Sequence, residues 1–131
     1  MIAQSTERPE DITIGTTLVI IRDGFQQVEV PAGEEGQTET VWQWDEIRLP
    51  PVEFEALQKG QWRGPWTENS HKAFRQYQHD RTLGLYDLAR RKAKANPVWE
   101  TYISQLDAWN EQVSALAATM STAIPDLPIQ P

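Results

Sequence analysis

The chain contains no cysteine. That excludes a disulfide framework, a thiolate metal site and a cysteine nucleophile, and it fits a cytoplasmic protein. It has no long apolar run. The longest aliphatic stretch, Leu18 to Ile21, is far shorter than the ~20 residues that cross a bilayer, so no membrane span is expected. The first residues, Met-Ile-Ala-Gln-Ser-Thr-Glu-Arg-Pro-Glu-Asp, lack the basic start and apolar core of a signal peptide. Positive charge is in deficit. Nineteen acidic residues face twelve basic ones, and the net charge of −7 argues against nucleic acid as the main ligand.

The signatures of chemistry are also missing. There is no phosphate-cradling glycine loop, no His-Glu-x-x-His and no strand-turn serine elbow. The only histidines, His71 and His79, lie eight residues apart. On a helix that spacing rises roughly 12 Å, too far for both to ligate one metal, and Asp80 and Asp87 supply no close third ligand. Asp45 and Glu46 are consecutive in a strand-like stretch and point to opposite faces, and Glu34-Glu35 reads as a solvated pair. The expectation is a protein that is not an enzyme, with no cofactor, no metal and no catalytic residue.

What the chain does have is aromatic residues and one strong period. Six tryptophans fall in three pairs: Trp42 and Trp44, Trp62 and Trp66, Trp99 and Trp109. From Trp99 the apolar positions run Trp99, Tyr102, Leu106, Trp109, Val113, Leu116 and Met120, with spacings of 3 and 4 in alternation. That is a heptad seam, which packs either within the chain as a helical hairpin or between copies as a homo-oligomer. A proline-spaced end follows, Ile124-Pro125-Asp126-Leu127-Pro128-Ile129-Gln130-Pro131.

Upstream the texture is that of strands. Thr16 to Ile21 is β-branched and apolar, Asp23-Gly24 signals a hairpin turn, and Phe25 to Val30 partly alternates. Pro31 to Gly36 reads as an acidic loop. Thr38 to Leu49 reads as a third strand, with Thr40, Trp42, Trp44 and Glu46 on one face. Pro51 starts a short helix containing Val52, Phe54 and Leu57, and Gly60 ends it. Thr67 is placed to cap a long helix over about Glu68–Ala95, with a stripe of Phe74, Tyr77, Arg81, Leu85 and Leu88. The stem of Arg81 is expected to cover that stripe, and Gly84 permits a kink. The basic run Arg90 to Lys94 suits that helix's C-terminal end, and Asn96-Pro97 breaks the chain before the last helix. Charge divides accordingly: net −7 over 1–66, +4 over 67–96 and −4 over 97–131.

The fold expected is α+β. A flexible arm over 1–11 precedes a small β-rich domain over 12–66, an antiparallel meander of about three strands with a short helix. A helical hairpin over 67–123 and an apolar proline-spaced tail over 124–131 complete the chain. Trp42, Trp44, Trp62, Trp66, Ile124 and Leu127 are the candidate partner-binding residues, since large aromatic and aliphatic anchors dominate protein interfaces.

The pattern Trp99-x-x-Tyr102-x-x-x-Leu106-x-x-Trp109-x-x-x-Val113, followed by Ile124-Pro125 and Leu127-Pro128, resembles the C-termini of bacteriophage tail fibre assembly proteins. The Trp-x-Trp-Asp-Glu strand at Trp42 to Glu46, followed by helices, resembles the same family. Short prophage tail proteins of the XkdW type share the layout. The resemblance covers roughly residues 38–49 and 97–131. Leu127-Pro128 stands where a Trp-Pro is common in the family. The resemblance implies a chaperone in the host cytoplasm that binds the C-terminal part of a trimeric tail fibre. It implies help with folding and trimerisation, a 3:3 complex with the fibre protein, and in some members retention on the virion tail. The alternative is a structural tail or baseplate adaptor.

Overall fold

A computed structural model describes residues 2–131. The chain forms two units, one ending at Glu55 and the other spanning Ala56–Pro131. The protein is α+β. Four strands, β1 (Ile2–Ser5), β2 (Ile12–Ile14), β3 (Val19–Pro31) and β4 (Thr38–Leu49), precede the helices α1 (Pro51–Gln58), α2 (Glu68–Asp80), α3 (Leu83–Ala93) and α4 (Val98–Ala115). A short 3₁₀ turn, Leu116–Ala118, ends the helical region.

The sheet is antiparallel throughout, in the order β1-β4-β3-β2. Its backbone is a long β3–β4 hairpin whose turn is the acidic loop, closed by Ala32 donating to Gln37 O and Gln37 donating to Glu34 O. Paired Val19–Leu49, Ile21–Ile47 and Val28–Val41 put aliphatic side chains on one face. Val19, Ile21, Val41 and Leu49 are buried.

Two expectations are corrected here. Asp23-Gly24 is not a hairpin turn: β3 runs straight through it. Asp23 pairs with Asp45 and Gln26 with Gln43, so Gly24 and Phe25 together stand opposite Trp44 alone. This is a β-bulge, and Gly24 at φ +67° supplies the left-handed backbone it needs. The flexible arm is also revised. Residue 1 lies outside the described residues, but Ile2–Ser5 form β1, which pairs with Trp42–Asp45 of β4. The sheet therefore has four strands, not three.

α1 begins at Pro51 with Glu53 in its first turn and stops at Gly60, which sits at φ +75°. A Cβ there would meet the Phe74 ring at 2.9 Å, so a side chain is excluded by both conformation and space. Phe54 and Leu57 are buried, whereas Val52 is 71% exposed.

Thr67 caps α2 in a capping box with Ser70: Ser70 N–H donates to Thr67 Oγ1 at 3.2 Å and Thr67 N–H to Ser70 Oγ at 2.7 Å. The single helix expected over 68–95 is two. It breaks at Arg81-Thr82, where buried Thr82 donates both its N–H (3.0 Å) and its hydroxyl (2.7 Å) to His79 O. Arg81 is exposed and donates to Gln78 Oε1 at 2.6 Å; its stem does not cover an apolar stripe.

α3 and α4 form an antiparallel hairpin across Asn96-Pro97. Lys92 lies over the Trp99 ring, Tyr86 reaches Asp107, and Thr82 meets Asn110, so residues late in α3 pair with residues early in α4. Ala89, Trp99, Tyr102 and Leu106 make a buried cluster with Leu85, Tyr86, Ala93 and Ile103 packed on it. Trp99, Tyr102, Leu106, Trp109 and Val113 are all buried, so the seam packs within the chain as far as Val113. Beyond Val113 the heptad reading fails. Leu116 lies half-buried in the 3₁₀ turn, and Met120, at φ +54°, is 37% exposed after the helix has ended.

Candidate protein-binding surfaces

In the sheet unit the bulge aims Phe25 at the two tryptophans of β4. Its ring centroid lies 6.4 Å from Trp42, edge-on, and 5.7 Å from Trp44. Arg8 lays its guanidinium 4.1 Å from the Phe25 centroid, a cation–π contact that covers the cluster from the β1–β2 segment. Trp44 is buried, and its indole N–H donates to Glu46 Oε1 at 2.9 Å. Glu46 also accepts from Arg48 (3.0 Å) and faces Arg22 Nε (3.6 Å). Burial alone raises the Glu46 pKa, but the Trp44 and Arg48 hydrogen bonds and the charges of Arg48 and Arg22 outweigh it, and the net shift is downward. Arg22 in turn donates to Glu10 O and Thr13 Oγ1, tying β2 to the sheet. Trp42 remains half-exposed beside Phe25.

The β3–β4 ribbon outruns its neighbours. Among the described residues, β2 pairs with Val19–Ile21, extended by Arg22 N–H donating to Asp11 O, and β1 pairs with Trp42–Asp45. Toward the turn, over residues 26–31 and 38–41, the described residues of each strand pair in the sheet with the other strand of the ribbon alone. Glu29, Glu34, Glu35 and Glu39 are exposed along it.

In the helical unit Trp62 and Trp66 do not stand out as a free pair. Their rings meet edge-on at 5.5 Å, and Trp66 packs against His71 at 6.0 Å and Phe74 at 5.8 Å. Trp66 is half-buried in the wall of the α2 core rather than presented to a partner. Ile124 and Leu127 are likewise half-buried, because the tail lies down on the helices. His71 Nε2 donates to Ser121 O at 2.7 Å, and Trp109 Nε1 donates to Pro125 O at 2.9 Å. Ile124 lies near Tyr77, Gln78 and Arg81, while Pro128 and Ile129 border Trp109, Ala108 and Gln112. Of the six partner-binding candidates, Trp44 is core and the other five are half-buried: Trp42 beside Phe25 in the sheet unit, and Trp62, Trp66, Ile124 and Leu127 in the helical unit.

Each histidine uses both ring nitrogens. Arg75 Nε donates to His71 Nδ1 at 2.9 Å, which leaves Nε2 as the donor to Ser121. Burial pushes the His71 pKa down, the Ser121 bond opposes this, and the Arg75 charge adds to it; the net shift is downward. His79 Nδ1 meets Asn110 Oδ1 at 2.6 Å, and Ser114 Oγ meets His79 Nε2 at 3.2 Å. Asn110 further donates to Thr82 Oγ1 and Tyr86 OH, and Tyr86 OH donates to Asp107 at 2.6 Å. Burial, followed by the Asp107 bond, raises the Tyr86 pKa.

Ser114, His79 and Asn110 have the contact order of a nucleophile, a base and its orienting group. Ser114 lies in the last turn of α4, whose own amides point along the helix axis rather than at its hydroxyl. The chain clasps α2, α3 and α4 together. Its members His79 and Ser114 are 35 residues apart, and the sequence hints at it only in Asp107, Asn110 and Ser114, polar residues each one place after a seam position. Among the described residues no three His, Asp or Glu side chains gather as a metal site, and no helix is long and apolar enough to cross a membrane. Comparison with family models, curated proteins and solved structures finds no match for this chain.

Proposed function

We propose that this chain is an assembly chaperone for a phage tail fibre, acting by binding rather than by catalysis. The observation that carries the reading is the resemblance of the last helix and tail, with Trp99, Tyr102, Leu106 and Trp109 followed by Ile124-Pro125 and Leu127-Pro128, to tail fibre assembly proteins. Two features support it. The β3–β4 ribbon offers unpaired strand edges and the half-exposed Trp42, the kind of surface that takes up an extended segment of another protein. The titratable groups with shifted pKa values are engaged by neighbours of their own: Glu46 by Trp44 and Arg48, His71 by Ser121 and Arg75, and Tyr86 by Asp107 and Asn110.

The mechanism is mass action. A binder that prefers the folding-competent fibre end stabilises it and shields apolar surface until three chains associate. Threefold symmetry of the fibre repeats the site and sets three copies per trimer. The complex forms in the host cytoplasm, and no nucleic acid or membrane takes part.

The test is expression of the fibre gene with and without this chain. The reading expects soluble, trimeric fibre only when the chain is present. A fibre that trimerises equally well without it overturns the chaperone reading. In that case, presence of the chain in purified particles at fixed copy number would establish the alternative, a structural tail or baseplate adaptor.

A further inference from the structure

The proline-spaced segment over 124–131 lies on the helices without a strand or helix of its own. Prolines at 125, 128 and 131 fix their own φ near −65° and push Ile124, Leu127 and Gln130 toward extended backbone. Only Asp126 and Ile129, of the residues from Ile124 to Pro131, escape that restriction. A three-residue repeat is the period of the polyproline II helix. Burial follows the same period for two repeats: Ile124 and Pro125 half-buried, Asp126 exposed, Leu127 and Pro128 half-buried, Ile129 90% exposed; Gln130 and Pro131 are exposed. The two aliphatic–proline pairs are covered, while Asp126 and Ile129 border the open side of the groove beside Trp109, Ala108 and Gln112.

The hydrogen bonds match. Among the described residues, no backbone–backbone hydrogen bond involves a residue after Thr119. Tail carbonyls instead accept from two buried ring donors, His71 Nε2 at Ser121 and Trp109 Nε1 at Pro125. An indole N–H on the carbonyl of a proline-spaced strand, with prolines lying along an aromatic helix face, is how polyproline II ligands are held. We propose that this groove, built by His71, Trp109, Ala108 and Gln112, is a binding site for a polyproline II segment of the form aliphatic-Pro-x-aliphatic-Pro. In this chain it is filled in cis by its own tail, and the same segment of a second copy exchanges with it. Tethering gives the tail an effective concentration of about a millimolar. Even a site of modest intrinsic affinity is therefore occupied, while the tail remains exchangeable. The proposal does not depend on the chaperone reading.

The test uses the full-length chain and a fluorescein-labelled peptide of residues 121–131, read by fluorescence polarisation. Pro125→Ala with Pro128→Ala removes the restriction that pre-orders the cis tail. That variant is expected to take up the peptide at least about tenfold more tightly than the unaltered chain. Trp109→Phe in the same background, which keeps a ring but loses the N–H, is expected to reverse the gain. A variant with unchanged helical circular dichroism that fails to bind, or binding indifferent to Trp109→Phe, overturns the proposal. Should the double variant fail to fold, hydrogen exchange of the unaltered chain decides. The Trp109 indole N–H must exchange through local tail release, faster than the Leu106 amide. Exchange of both at the rate of global unfolding would make the tail an inseparable part of the core and overturn the site.

Discussion

The sheet unit and the helical unit solve the problem of a small core differently. In the first, a long hairpin is pinned by short flanking strands, one bulge and an arginine–glutamate–tryptophan cluster, and much of the ribbon remains open along both edges. In the second, aromatic residues of α2 and α4 are buried and a chain of polar side chains from Thr82 to Ser114 locks the three helices. The second unit has little free edge and consumes its own tail. Apolar residues that stand out in sequence as an interaction surface, such as Trp66 and Ile124, are partly covered once the helices and the proline-spaced tail pack together. The strand unit, by contrast, keeps the turn end of its ribbon with a described sheet neighbour on one side of each strand.

The two units are expected to break differently. The largest effect falls on the helical core. Leu106 is fully buried in the α3–α4 cluster, so Leu106→Ala should cost about 3 kcal/mol of that unit's stability, read by urea unfolding. In the sheet unit, Phe25→Ala removes the residue that the bulge exists to place. A loss of about 2 kcal/mol is expected, because Phe25 is only half-buried, below the usual cost for a fully buried ring. An unchanged midpoint would show that the bulge serves something other than the Trp42–Trp44 cluster. Thr67→Ala deletes half of the capping box and should cost about 1 kcal/mol, confined to the helical unit.

Acid should separate the units without any substitution. The His71 pKa is lowered from 6.5 on folding, so the neutral ring's contribution is complete above that pH and is lost as pH falls below it toward the folded value. Glu46 is lowered from 4.5, so its contribution persists to that pH and fails only further down. Tail and α2 resonances should therefore respond to acid before those of β3 and β4. The reverse order would contradict the two local environments.

Much of this was legible in the sequence where the determinant is local. The heptad spacing located α4 and its buried face to Val113, and Pro51, Gly60 and Thr67 marked helix ends. What escaped depends on distant partners. β1 exists because Ile2–Ser5 pair with a strand some forty residues away, which no local pattern announces. Asp23-Gly24 reads the same for a hairpin turn and a bulge, since both need a left-handed glycine; the choice is made by pairing with β4. The break at Thr82 is held by Asn110 on another helix. Residue type marks Trp62, Trp66, Ile124 and Leu127 as apolar anchors, but it does not show that all four lie half-buried within the helical unit, with Trp62 and Trp66 meeting edge-on.

Binding to a fibre is what the proposed function requires of this chain. The most direct measurement is native mass spectrometry of the tagged chain purified from cells that also express the genes neighbouring its own, the tail genes if the proposal is right. The account predicts one species holding three copies of this chain and three of a long fibre protein. Recovery of the chain alone, or with sheath or baseplate components in place of a fibre, would contradict it.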